Sequence, residues 1–231
     1  MYHEDRGFGY NVRVKYFIFS IDDGTIYDRR VIDIFNKYHI SATFNLNSGL
    51  DDFVWYLQNK PIERLKLPEC ISLYQGHEVA SHSLSHPHLT MCPDYVIIKE
   101  VGEDIERLEN IFHQSVNTFA FPFEDSDERC INIIKHLHNI KVIRLSNIDR
   151  SFRFPKDLHH VEITSLDVED ALNIFDEFIK DKEAKLFVFV SHAYDFEVNN
   201  TYEKLEALCK KLTSTSEVRV ITMRELEKVI E

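Results

Sequence analysis

The stretch Phe19-Ser20-Ile21-Asp22-Asp23-Gly24 decides how the chain reads. It continues an aromatic and β-branched run, Val14-Lys15-Tyr16-Phe17-Ile18-Phe19, with the composition of a buried strand. The run ends in two adjacent carboxylates and a glycine. Successive strand residues face opposite ways, and at a strand end the backbone turns, so Asp22 and Asp23 can be aimed separately at one site. Neighbouring carboxylates repel, and one pKa rises unless a cation or a proton holds them apart. A metal ion would let one Asp ligate while the other stays free as a base. The plainer alternative is an Asp-Gly turn that closes a strand.

Downstream, apolar residues at Val31, Ile32, Ile34, Phe35 and Tyr38 predict a helix over 27–38 packed on a sheet. A second strand over 41–46 completes a strand-helix-strand unit, hence parallel pairing. The pattern weakens over 47–75, which reads as an insertion or long loop over the sheet, with a short helix over 51–59 around Trp55. Further strands are predicted over 78–81, 118–121, 141–145, 161–163, 185–191 and 218–222. Helices are predicted over 93–112, 127–138, 168–179 and 202–212, with a short one at the end. The alternation of about seven strands with helices indicates a parallel α/β architecture, and the near-continuous apolar strands imply that both faces are covered. The polar clusters fall just after strands, the rim where active sites form in such folds.

The 231 residues are 44% hydrophobic and 29% charged, and are expected to form one domain, 1–231. A net charge of −12 argues against a nucleic-acid or anionic-membrane surface. Cys70, Cys92, Cys130 and Cys209 are scattered, without a Cys-x-x-Cys pair, and read as free thiols. Residues 1–6 carry no apolar signal core and no run approaches a membrane span, so a cytoplasmic location is expected. Neither the sequence nor its charge indicates the oligomeric state.

His82 and His86 are four residues apart, a spacing that on a helix or tight turn lets two imidazoles share a metal; His88 adds a third nearby. Ser83 follows the first histidine where a zinc protease has Glu, so a base must come from elsewhere. A His-rich turn exposed to solvent is the alternative. Asp23, His82 and His86 make a three-ligand set that leaves a position open for water. Asp22 stands beside it as a base, and His192, at the end of another strand, as an acid toward a leaving nitrogen. A strand-end His engaged in capping is the alternative for His192. Pro122 can force a turn that aims the Phe123 N–H at a developing oxyanion. Arg144, at a strand end, can steady a carboxylate or form an ordinary surface ion pair. His77, Glu78 and Glu124 read as structural or rim residues.

With these residues assembled, the sequence resembles the polysaccharide deacetylase family, also called the NodB-homology or carbohydrate esterase family 4 group. Ser20-Ile21-Asp22-Asp23-Gly24 is similar to the family's Thr-Phe-Asp-Asp-Gly motif. The segment from Gly76-His77-Glu78 to His82-Ser83-Leu84-Ser85-His86 resembles its Gly-His-Glu and His-Ser/Thr-x-x-His motifs. Val188-Phe189-Val190-Ser191-His192 resembles the late strand that delivers the general-acid His. The resemblance implies a distorted (β/α) barrel with fewer strands than a TIM barrel, with Asp22 as catalytic base and Asp23, His82 and His86 as metal ligands. The chain departs from the family where Ala120 takes the place of an Arg and Phe123 that of a Tyr, and Arg144 is a candidate for the missing guanidinium. The later Asp/Trp motif has no clear match, with Asp167 and Asp170 as candidates.

The resulting expectation is a metal-dependent hydrolase of C–N bonds. It removes an acyl group from an N-acylated sugar or a small or lipid-linked glycan, and uses one divalent ion, Zn²⁺ first, with Co²⁺, Ni²⁺ or Mn²⁺ as alternatives. Ureide-ring opening, deformylation and a catalytically dead glycan-binding domain are the competing readings.

Overall fold

In the computed structural model, which describes residues 14–123 and 125–230, the chain alternates strands and helices. Glu124 and the N-terminal residues considered above lie outside the described residues. The elements run β1 (Lys15–Asp22), α1 (Asp28–Lys37), β2 (Thr43–Leu46), β3 (Val54–Leu57), β4 (Lys60–Glu63), β5 (Glu78–Ser81), α2 (Asp94–Phe112), β6 (Thr118–Ala120) and α3 (Glu128–Ile134). There follow β7 (Val142–Ile148), β8 (Val161–Ile163), α4 (Val168–Lys180), β9 (Leu186–His192), α5 (Ala193–Val198), α6 (Tyr202–Ser214), β10 (Val218–Val220) and α7 (Glu227–Ile230).

β1 pairs with β9 along one edge, from Tyr16↔Leu186 to Asp22↔His192. Its other edge is divided: the first residues pair with β10 and the last with β2. The sheet continues from β2 through β5, β6 and β7 to β8, every pairing parallel. A bridge between Ser165 and Phe189 brings it back to β9. Seven parallel strands thus curl into the expected distorted barrel, with β10 beside the start of β1.

The alternation along β1 explains its composition. Phe17, Phe19 and Ile21 belong to the large cluster between sheet and helices, where Phe17 stacks on Phe187 and Phe19 meets Phe35 of α1, each pair at 4.7 Å. Ile18 belongs to a second cluster with Val161, Ile163, Val188 and Val190, which fills the barrel. Asp22 has the parity of Ile18, so the same alternation turns it inward. The strand runs through Asp22, three residues beyond the aromatic run, and the turn begins at Asp23.

The region 47–75 differs from expectation. In place of a short helix it forms the antiparallel hairpin β3–β4, with Gln58 and Asn59 both at positive φ. That is the conformation a two-residue hairpin turn demands, and Val-Trp-Tyr-Leu alternates in exposure as a half-buried strand does. α5 was not expected; it begins directly after His192. No helix among the described residues is long and apolar enough to cross a membrane.

Candidate active site

Register puts the site together. Asp22 lies opposite Asn45 on β2 and opposite His192 on β9, so three strand ends present one row of polar side chains at the C-terminal rim. Asn45 donates from Nδ2 to Asp22 Oδ1 at 2.6 Å. Arg144 donates from Nη2 to Asp22 Oδ2 at 2.7 Å, and both side chains are almost fully buried. Burial pushes the Asp22 carboxyl up, but the Arg144 guanidinium and nearby imidazoles outweigh it and hold it below its ordinary value. Arg144 is the register partner of Ala120, one strand over. The guanidinium that the Ala120 position lacks therefore arrives from the neighbouring strand.

Asp23 turns away on a backbone with φ +87, and Gly24 follows at φ +67. A non-glycine residue at such a φ is strained and is held by its surroundings. Here the Asp23 N–H donates to Asn45 O at 3.0 Å, and Arg64 grips Asp23 at its carbonyl and at Oδ1, the latter at 3.0 Å. The Tyr194 hydroxyl donates to Oδ2 at 3.2 Å. Burial raises the Asp23 carboxyl, and Arg64 with the surrounding histidines brings it well below the usual range. Each of the two carboxylates thus has its own guanidinium.

His82 directly follows β5. Its Nδ1–H donates to Ala120 O at 2.8 Å, which leaves Nε2 as the free ring nitrogen. Burial lowers its pKa to about 4, so the ring is neutral. The His82–His86 segment is a turn rather than a helix: Ser83 and His86 have positive φ, and Ser83 Oγ accepts from the His86 N–H at 3.1 Å. His86 Nε2 lies 3.5 Å and His82 Nε2 4.0 Å from Asp23 Oδ1. The three ligand atoms fall within 4.8 Å of one another. A tetrahedral ion with bonds of about 2.0–2.1 Å keeps its ligands about 3.4 Å apart, so this donor set fits a divalent metal with small adjustments.

His192 faces the cluster from β9, its Nε2 3.9 Å from Asp23 Oδ2. Asp195 accepts from both the His192 N–H and Nδ1–H, at 3.1 and 2.9 Å, in a capping box at the start of α5. Burial acts to lower the His192 pKa, but Asp195, Asp23 and Asp22 together raise it to about 9. The imidazole is therefore cationic at neutral pH and has a proton to give. Of the candidates for the later Asp/Trp motif, Asp167 caps α4, and Asp170 accepts from Ser165 and Arg150. Phe123 lies at the cleft, stacked on His88 at 3.7 Å and edge-on to His86 at 4.5 Å, with φ +59. The cleft holding these groups has a volume of about 610 Å³. His77 and Glu78 lie elsewhere: His77 Nδ1 accepts from the Ala42 N–H, and Glu78 ties Thr43 and Thr118 to the C-terminal segment.

Four site residues escaped the sequence reading. Asn45 is the polar residue next to the end of the second strand, and Asp195 follows His192 at capping-box spacing, so both left a local signal. Arg64 and Tyr194 left none.

A family model for polysaccharide deacetylase matches residues 9–140, more than half of the chain. Chitin deacetylase 1 of Cryptococcus neoformans is 30% identical over 107 residues, which are 42% of this chain and 23% of that protein. The chain thus matches about a quarter of the length of that curated relative. Among solved structures, a family 4 acetyl xylan esterase from Clostridium thermocellum, in complex with a cobalt ion, superposes with a TM-score of 0.64 at 18% identity, covering 93% of this chain and 91% of its own. The peptidoglycan deacetylase PdaC from Bacillus subtilis gives 0.63 at 18%, covering 95% and 93%. A family 4 pseudoenzyme from Bacillus anthracis gives 0.62 at 18%, covering 92% and 65%. At these identities the structural likeness is one of fold. The family match, with the fold it implies now on the page, leads to one conclusion: this chain belongs to the polysaccharide deacetylase family.

Proposed function

We propose that residues 1–231 act as one catalytic domain, a metal-dependent deacetylase that hydrolyses the N-acetyl amide of a glycan. The observation that carries this reading is the state of Asp22: a buried carboxylate kept ionised by Arg144, beside the Asp23/His82/His86 ligand set and across from the cationic His192. In this reading Asp23, His82 and His86 hold one divalent ion, Zn²⁺ first, which when bound polarises the acyl carbonyl and acidifies a water molecule. Asp22 Oδ2 or Oδ1 takes the proton of the attacking water, with Arg144 and Asn45 fixing the carboxylate plane. His192 Nε2 gives its proton to the departing amine, and Asp195 holds the imidazole through Nδ1. The Phe123 N–H is the proposed backbone donor to the developing oxyanion. The half-exposed faces of Phe123 and Leu166 offer apolar walls for a sugar ring.

The Ala120 departure favours a second reading, a glycan-binding domain without turnover. Arg144 on Asp22 weakens it, because the carboxylate keeps its guanidinium. The test combines metal content with turnover. Wild type is expected to bind about one equivalent of metal and release acetate from N-acetylated chitooligosaccharides. Asp22→Asn should keep the metal and lose turnover, and His82→Ala with His86→Ala should lose both. Acetylated xylan, N-formyl sugars and cyclic ureides assayed in parallel separate amide from ester, formyl and ureide chemistry. Metal binding and glycan binding without any product would establish the second reading instead.

A further inference from the structure

Arg64 sits where a cation is least expected if Asp23 is a metal ligand. Its Nη2 donates to Asp23 Oδ1, the oxygen that also faces His82 and His86. Its Nη1 donates to the Asp23 carbonyl and to Asn47 Oδ1. Asn47 in turn donates to the carbonyls of His82 and Ser83, so the guanidinium is bonded into both halves of the ligand set. The side chain is 6% exposed, with the Trp55 ring centroid 5.3 Å from its guanidinium carbon.

Arg64 cannot easily withdraw. Its backbone bridges Thr25, its N–H donates to Phe53 O at 2.9 Å, and the next N–H, of Leu65, donates to Gly24 O at 2.9 Å. The hairpin β3–β4 is thereby stitched to the turn that carries Asp23. A dication bound by Asp23, His82 and His86 would share one buried carboxylate with a fixed guanidinium. Like charges so close in a buried setting repel strongly, and the guanidinium also draws on the same lone pairs that the metal needs.

Resting on the metal-site reading above, we propose that Arg64 is a positioning residue that sets the metal affinity of this site. Its hydrogen bonds to the Asp23 carbonyl and Oδ1 hold the carboxylate in place. Arg64 weakens the hold on the ion when the site is filled. The hairpin is thus part of the metal site, and the ion it leaves is readily exchanged.

The test is titration of the purified chain with Zn²⁺ and with Co²⁺, the latter followed by its visible absorption, in wild type, Arg64→Lys and Arg64→Gln. Arg64→Gln is expected to tighten metal binding by about tenfold or more, with a smaller change in Arg64→Lys, which keeps the charge. The metal-free glutamine variant should unfold at lower temperature, and its gain on metal addition should exceed that of wild type. If it does not fold, Arg64→Met, which keeps packing under Trp55, takes its place. Weaker binding in both Lys and Gln variants would overturn the proposal and leave Arg64 as an orienting group only. Metal binding by none of the proteins would instead bring down the metal-site reading. Binding by the glutamine variant alone would support the proposal in its strongest form.

Discussion

Removing the Arg144 guanidinium tests the arrangement proposed for Asp22 as a base. Arg144 Nη2 and Asp22 Oδ2 are 2.7 Å apart, and the two side chains are 3% and 7% exposed. Truncating one partner of so buried a pair costs about 3–5 kcal/mol, because the remaining charge has lost its counter-ion without regaining water. Asn45 remains as a hydrogen-bond donor to the carboxylate, with the His82 ring 3.8 Å away. Asp22 can meet that cost by taking a proton, and a protonated Asp22 accepts none from water. At about 1.4 kcal/mol per tenfold, Arg144→Ala should lower kcat/KM by about 10²- to 4 × 10³-fold at unchanged metal content. The register supplies a rescue. Ala120 lies opposite Arg144 on the adjacent parallel strand, and paired residues face the same side. Ala120→Arg combined with Arg144→Ala moves the guanidinium back across one strand, and should recover about tenfold or more of the loss. The assay is acetate release from N-acetylated chitooligosaccharide by metal-loaded protein, with thermal unfolding as the control for folding. An Arg144→Ala variant within threefold of wild type would refute the role of the pair. A dead double variant that remains folded would refute the equivalence of the two strand positions.

Two further perturbations probe the frame around the site. Burial raises the Asp28 carboxyl to about 7, although Tyr74 and Thr25 donate hydrogen bonds to it. Because the folded value lies above the ordinary 3.8, this group's stability contribution is complete below about pH 4. It is lost as pH rises toward 7, by about 4 kcal/mol in all. Urea unfolding at pH 5 and pH 8 should show about 3 kcal/mol of that loss in wild type, the rest falling below pH 5, and none of it in Asp28→Asn; parallel profiles would remove Asp28 as its source. Gly24 and Gly76 both have positive φ, but a Cβ at Gly24 would come within 2.9 Å of Leu46 Cδ2 while one at Gly76 meets nothing within 4 Å. Gly76→Ala should cost only backbone strain, about 1–3 kcal/mol, and Gly24→Ala measurably more; equal losses in the denaturation midpoint would show that the Leu46 contact is relaxed for free.

The barrel and half of the site were legible because their signals are local. Phe17, Phe19 and Ile21 alternate with Ile18, Ser20 and Asp22 on one strand, and His82 and His86 share one turn, so a window of a few residues contains each pattern. The hairpin over 54–63 replaces the short helix expected over 51–59 because Gln58 and Asn59 adopt the positive-φ turn conformation, which their residue types do not announce. Asp195 has the spacing from His192 of a helix cap, a local signal that carries no mark of its chemical use. Arg64 lies beyond any such window. It reaches Asp23 across 41 residues, and only the stitching of β4 to the Gly24 turn brings the two together. Yet the adjacent carboxylates carried an indirect notice of it. Asp22 and Asp23 cannot both be ionised in a buried site without compensating cations. The sequence displays the two charges to be balanced; the fold supplies Arg144 for one and Arg64 for the other. If the proposed metal binds here, it would find the carboxylates already balanced. Binding would then draw on the imidazoles of His82 and His86 and on the geometry of the turn, more than on unspent negative charge.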